Sequence, residues 1–113
     1  MSAETGFDEA IHAPNRLRLC GLLRPVDNAE FSVLRSTLDM SEANLSKTIR
    51  SLVDAGYVRV SKAASSDRSD RRRTTSVSLT SAGKRAFDAH VIALQRMVAG
   101  VTESTSTPEK LIN

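Results

Sequence analysis

The sequence predicts a mainly α domain with a small β-hairpin: three short helices, two strands joined by a basic loop, and a long closing helix. Three observations carry this. Apolar residues recur at helical spacing on both sides of the chain's middle, with proline, aspartate and glycine marking the breaks. At Gly56 the period changes from 3.6 to 2, and two β-prone runs follow, YVRVSK and TTSVSLT. Between those runs lies SSDRSDRRRTT, which holds four arginines among serines, threonines and two aspartates.

The length of 113 residues allows one small domain. With no tryptophan and few aromatics, the core must be aliphatic. The single cysteine, Cys20, has no internal disulfide partner and implies no oxidising compartment. The polar, acidic start is unlike a signal peptide, and no run approaches the roughly 18 apolar residues of a membrane span. A soluble, cytoplasmic protein with no membrane partner is expected.

Taken in order, residues 1–6 are expected to be disordered. Phe7, Ala10 and Ile11 share one face of a short first turn or two. Pro14 then opens a helix, because its missing N–H has no partner to lose at the first helical position. Leu17, Cys20 or Gly21, and Leu22 or Leu23 form its stripe, and Pro25 closes it. A second helix is expected over about 29–38, burying Phe31, Leu34 and Leu38, with Asp27 and Asn28 as caps. After the brief Asp39–Met40 connection, Ser41 caps a third helix over 41–55, which stops at Gly56. Thr80 or Ser81 caps the closing helix, 81–101, and residues 102–113 read as a disordered tail. The folded domain is thus expected over 7–101.

Two helices separated only by a tight turn form a helix-turn-helix. On the third helix, Leu45, Ile49, Leu52 and Val53 fall on one arc and are expected in the core. Ala43, Asn44, Lys47, Arg50, Ser51 and Asp54 lie opposite, with Ser46 at the boundary. The outward set suits DNA. Asn44 can pair with an adenine edge and Lys47 with guanine O6 and N7, whereas Arg50 and Ser46 reach phosphates. Ala43 permits close approach. Charge agrees: the net charge is +3, residues 41–73 carry +4 and the rest sums to −1. A localised basic block on a small domain suits a polyanion.

The runs SEANLSKTIRSLVDAGYVRVSK and SVSLTSAGKRAF, with a basic loop between them, resemble the winged helix-turn-helix transcriptional regulators related to the MarR and ArsR families. The likeness is to short members, little more than a DNA-binding domain, and spans about residues 7–98. It implies a three-helix core, a two-stranded wing, recognition-helix contacts from Asn44, Ser46, Lys47 and Arg50, and wing contacts from Arg68, Arg71, Arg72 and Arg73 within 63–73. The chain departs from long MarR members in lacking a second dimerisation helix, and from metal-sensing ArsR members in lacking their cysteine and histidine clusters.

Phe87, Val91, Leu94, Val98 and Val101 step by 4, 3, 4, 3 along the closing helix, an apolar heptad seam. Its start is expected to pack inward and its end to pair with a second chain, with Phe7 and Ile11 joining that interface. The partners expected are double-stranded DNA, as a pseudo-palindromic operator, and a second copy of the chain. The residues imply no cofactor, no metal site and no catalytic constellation, and they identify no small-molecule effector. Cys20 reads as a small core residue. Two other readings remain: a winged-helix module that binds protein, and a regulator that senses a ligand or redox state.

Overall fold

The computed structural model describes residues 6–64 and 73–105. Helices α1 (Glu9–His12), α2 (Pro14–Leu23), α3 (Phe31–Leu38) and α4 (Glu42–Asp54) precede strands β2 (Val58–Ala64) and β3 (Arg73–Leu79), and α5 (Ser81–Thr105) is the last of the described elements. A two-residue strand, β1 (Ala29–Glu30), lies between α2 and α3. The sheet order is β1-β3-β2, antiparallel throughout.

Local chemistry sets the breaks. Pro14 stands at the first helical position of α2. α3 ends at Asp39, which takes φ +56°, and the Asp39 and Met40 amides close back onto the Ser36 and Arg35 carbonyls. Arg18 donates to the Leu38 carbonyl at 3.2 Å and Arg35 to that of Met40 at 3.3 Å, so the carbonyls at this turn are satisfied. The Ser41 hydroxyl then accepts from the Asn44 N–H at 3.1 Å and starts α4. At the far end Gly56, with φ +83°, donates to the Val53 carbonyl while Tyr57 donates to that of Leu52, a Schellman stop.

The core is aliphatic: Ile11, Leu19, Leu23, Leu45, Leu52 and Val77 have no exposed surface. Leu34, Leu38, Ile49, Val58 and Leu79 complete it, and Phe87 packs against it part-buried.

Several expectations need correction. Residues 29–30 form a strand, not helix, because Ala29 pairs with Val77 and Glu30 with Ser76 before α3 begins. The wing sheet therefore has three strands, and the extended Glu30 takes the N-cap position expected of Asp27 or Asn28. On α4, Val53, expected in the core, is 41% exposed, and Thr48, which belongs to neither expected arc, is buried in its place. Thr48 turns its hydroxyl onto the Asn44 carbonyl at 2.9 Å, so its polar atom is satisfied inside. On α2 the buried positions are Leu19, Cys20 and Leu23, with Leu17 and Leu22 only part-buried. Ile11, expected at a dimer interface, is fully buried in the chain's own core and has no surface left for a second copy. α5 runs to Thr105, past the expected end at 101. Residues 1–5 and 106–113, read as disordered, lie outside the described residues.

Candidate nucleic-acid interface

Helix α4 is clamped from one side. Leu45, Thr48, Ile49 and Leu52 lock it into the core, and the two caps fix where it begins and ends. What remains outward is Ala43, Asn44, Lys47 and Arg50, all exposed or half-exposed, with Ser46 and Ser51 at the borders. The Asn44 backbone satisfies the Ser41 cap, so its amide side chain is not needed for capping. Lys47 and Arg50 offer donors, and the Asn44 amide and the Ser46 and Ser51 hydroxyls both donate and accept, along about two turns of one helix.

The hairpin stands beside this face. β2 and β3 pair in unbroken register from Val58↔Leu79 to Ala64↔Arg73. The ladder thus takes up the two ends of the loop expected over 63–73. Arg68, Arg71 and Arg72 lie outside the described residues, and Arg73 is the first residue of β3. A groove of about 430 Å³ separates α4 from the sheet, with Ser46, Arg50 and Val53 on one bank and Val60, Lys62 and Thr75 on the other. Lys62 was not among the residues the sequence assigned to DNA. Its signal lay in strand alternation: Val58, Val60 and Lys62 share one face of β2, so the lysine extends the side that meets α4.

The hairpin base is anchored to both neighbouring helices. The Thr80 hydroxyl donates to the Gly56 carbonyl at 2.7 Å and accepts from the Gly83 N–H at 2.9 Å, capping α5. The Thr80 N–H donates to the Tyr57 carbonyl at 3.0 Å. Hydrogen bonds thus connect the end of α4, the start of β2 and the first turn of α5.

The seam residues are separated by the fold. The buried line of α5 runs through Gly83, His90 and Ala93. Val91 and Leu94 sit beside it, half-buried, while Met97 and Val98 are 55% and 65% exposed. The Val101 side chain lies outside the described part. Phe7 packs inside the chain, its ring 4.7 Å from that of His12 and 4.8 Å from that of His90. Cys20 is fully buried, and burial, followed by the nearby Asp8 charge, pushes its thiol up to about 11. Among the described residues no group of three or more histidine, cysteine, aspartate or glutamate side chains could hold a metal ion, and no helix is long and apolar enough to cross a membrane.

A family model described as a winged helix DNA-binding domain matches residues 16–98. Among solved structures the chain is similar to the transcriptional regulator homologue protein from Pyrococcus horikoshii OT3, at 27% identity and a TM-score of 0.75, covering 88% of this chain and 94% of that one. At the level of fold it is similar to the putative transcriptional regulator ytfH from Salmonella typhimurium, with 16% identity, a TM-score of 0.63, and 85% and 81% covered. The same holds for the heme sensor protein PefR from Streptococcus agalactiae, solved with heme, with 16% identity, a TM-score of 0.68, and 94% and 69% covered. No curated protein matches the chain. Two of these neighbours are described as transcriptional regulators, and the winged helix that the sequence resemblance implied is the fold they share with this chain. With the helix-turn-helix, the hairpin and the start of the closing helix all inside the matched span, the chain belongs to the winged-helix DNA-binding domain family.

Proposed function

We propose that this transcriptional regulator binds a pseudo-palindromic DNA operator as a homodimer and acts as a repressor. Proteins of this family are DNA-binding regulators, not enzymes. The observation that supports base reading is the outward face of α4. Asn44, Lys47 and Arg50 stand together on a helix whose other side is immobilised in the core. In the complex, α4 lies in the major groove. Asn44 and Lys47 read base edges, with Ala43 close to the groove floor, and Ser46, Arg50 and Ser51 meet phosphates. The wing, 63–73, crosses to the backbone or minor groove, where Arg68, Arg71, Arg72 and Arg73 displace counterions. Val91, Leu94, Val98 and Val101 join two copies along α5, with Phe7 at the margin.

The redox-sensing alternative loses support from Cys20, which is buried and held as a thiol, the unreactive form. The deciding experiment is selection from a random duplex library followed by a salt titration on the winning sequence. Enrichment of a two-fold symmetric site, bound less tightly as salt rises, is expected. No enrichment over the starting library at physiological salt would favour a protein-binding module.

A further inference from the structure

Two histidines 78 residues apart meet beneath the closing helix. His90, on α5, is fully buried. Its Nδ1 accepts from the Asp8 backbone N–H at 2.9 Å, and its Nε2 lies 3.2 Å from Nδ1 of His12. The Asp8 carboxylate accepts from the Ala10 N–H at 2.8 Å and from the Tyr57 hydroxyl. Tyr57 follows Gly56 at the end of α4, and its carbonyl takes the Thr80 N–H. A contiguous set of hydrogen bonds thus runs from α5, through the N-terminal segment, to the end of the helix assigned to DNA.

This geometry fixes the protons. His90 Nδ1 faces a donor, so it must be bare and Nε2 carries the hydrogen. That hydrogen points at His12 Nδ1, which must also be bare. Each ring's only free lone pair is therefore already used as an acceptor. A proton added to either ring sets one donor against another and breaks a bond of the chain.

We propose that the His12–His90 pair is a proton-operated latch: protonation below neutral pH releases the N-terminal segment from α5, loosens Tyr57 at the end of α4 and lowers DNA affinity. The DNA step rests on the function proposed above. The charged surroundings agree. Burial, followed by the neighbouring His12, holds the His90 pKa below its ordinary 6.5, and Asp8 opposes only in part. Asp8 is shared with Tyr57, whose hydroxyl its hydrogen bond pushes up to about 12. On α2, Arg16 is occupied by the Ala10 carbonyl at 2.5 Å, and on α5 Asp88 is paired with Arg24 at 2.9 Å. The sign follows from linkage. The unfolded chain takes up the histidine proton near 6.5 and the latched state resists it. Latch stability is therefore complete above about 6.5 and falls as pH drops towards the lower, latched-state pKa.

The molecule carries its own reporters. It has two histidines, one tyrosine and no tryptophan. A tyrosine that donates to a carboxylate emits weakly, because the carboxylate takes its proton in the excited state. The full chain is titrated from about pH 8 to 5.5, above the range in which carboxylates protonate, with Tyr57 emission, the imidazole C2–H resonances and far-ultraviolet circular dichroism followed together. We expect the buried imidazole to titrate below about 6.5, emission to rise over the same interval, and helix content to stay constant. His90→Asn, whose amide oxygen can take the Asp8 N–H but no proton, should abolish the rise. If His90→Asn does not fold, His12→Asn at the exposed partner leaves one imidazole, whose midpoint must still lie below about 6.5 and coincide with the emission change. Flat emission, a rise that persists in His90→Asn, a midpoint at or above about 6.5, or loss of helix in step with emission overturns the latch. Duplex affinity measured at about pH 8 and 5.5 tests the coupling, with a loss of roughly fivefold or more expected at the acid end. Added positive charge alone would strengthen binding, so unchanged or tighter binding at the acid end overturns the coupling. Absence of duplex binding at the alkaline end counts against the DNA reading and not the latch, which emission and resonances report without DNA.

Discussion

Lys47 and Asn44 stand one turn apart on α4, and neither contributes to the core or to a cap through its side chain. Replacing either should leave folding intact, so an effect on DNA reports recognition alone. A lysine that donates to guanine O6 and N7 contributes about 1–3 kcal/mol of discrimination against the wrong base. Lys47→Ala should lower affinity for the selected site by that amount and accept several bases at one position. Comparing winning and single-base-changed duplexes in both proteins checks this. Equal discrimination in the two would remove Lys47 from base reading. Leu45 and Leu52, on the opposite side, have no exposed surface. Their replacement would unfold the domain and say nothing about recognition.

At the scale of elements, the junction of α4, β2 and α5 leaves less room for an added Cβ than any other described glycine position. Gly83, in the first turn of α5, is buried, and a Cβ there would overlap the Tyr57 carbonyl oxygen and crowd a Leu79 methyl. The obstacle is backbone, which cannot swing aside. Gly83→Ala should therefore destabilise by about 1–3 kcal/mol or more, although alanine ordinarily favours a helix. Thermal and urea unfolding measure it, and a Tm equal to that of the unchanged protein would refute the close approach. The wing makes a separate prediction. Arg71→Ala, Arg72→Ala and Arg73→Ala together should weaken binding to all duplexes alike and lower the salt slope by about 0.9 for each phosphate that is no longer neutralised. An unchanged slope would refute the wing's phosphate role. The elements were legible where local chemistry decides them: Ser41 and Gly56 bound α4, and alternation marks β2 and β3. β1 was not legible, since two residues of strand exist only because Val77 and Ser76 offer partners. The exchange of Thr48 for Val53 lay at the border of an arc, where neighbours and not periodicity decide burial. The His12–His90 pairing joins residues 78 apart, a distance no local pattern spans.

At the scale of the whole molecule, the homodimer proposed above rests on the outer half of α5. Residues 95–100 are all exposed, and Met97 and Val98 present apolar side chains to solvent in a single chain. Two copies joined here would set their α4 helices to meet successive major-groove faces about 34 Å apart, and each half-site would hold the other in place. Binding through both halves exceeds one half alone by roughly 10²–10⁴ without any new base contact. Val98→Glu tests this cleanly because the position is exposed, so the charge burdens assembly and not the monomer fold. Sedimentation should show a dimer for the unchanged chain and a monomer for the variant. The Tm of the former should rise with concentration and that of the latter should not. Affinity for the full operator should fall towards that for an isolated half-site, while affinity for the half-site itself stays the same. A variant that remains dimeric would move the interface away from the end of α5, and a monomeric variant that still binds the full operator tightly would free DNA binding from this seam altogether.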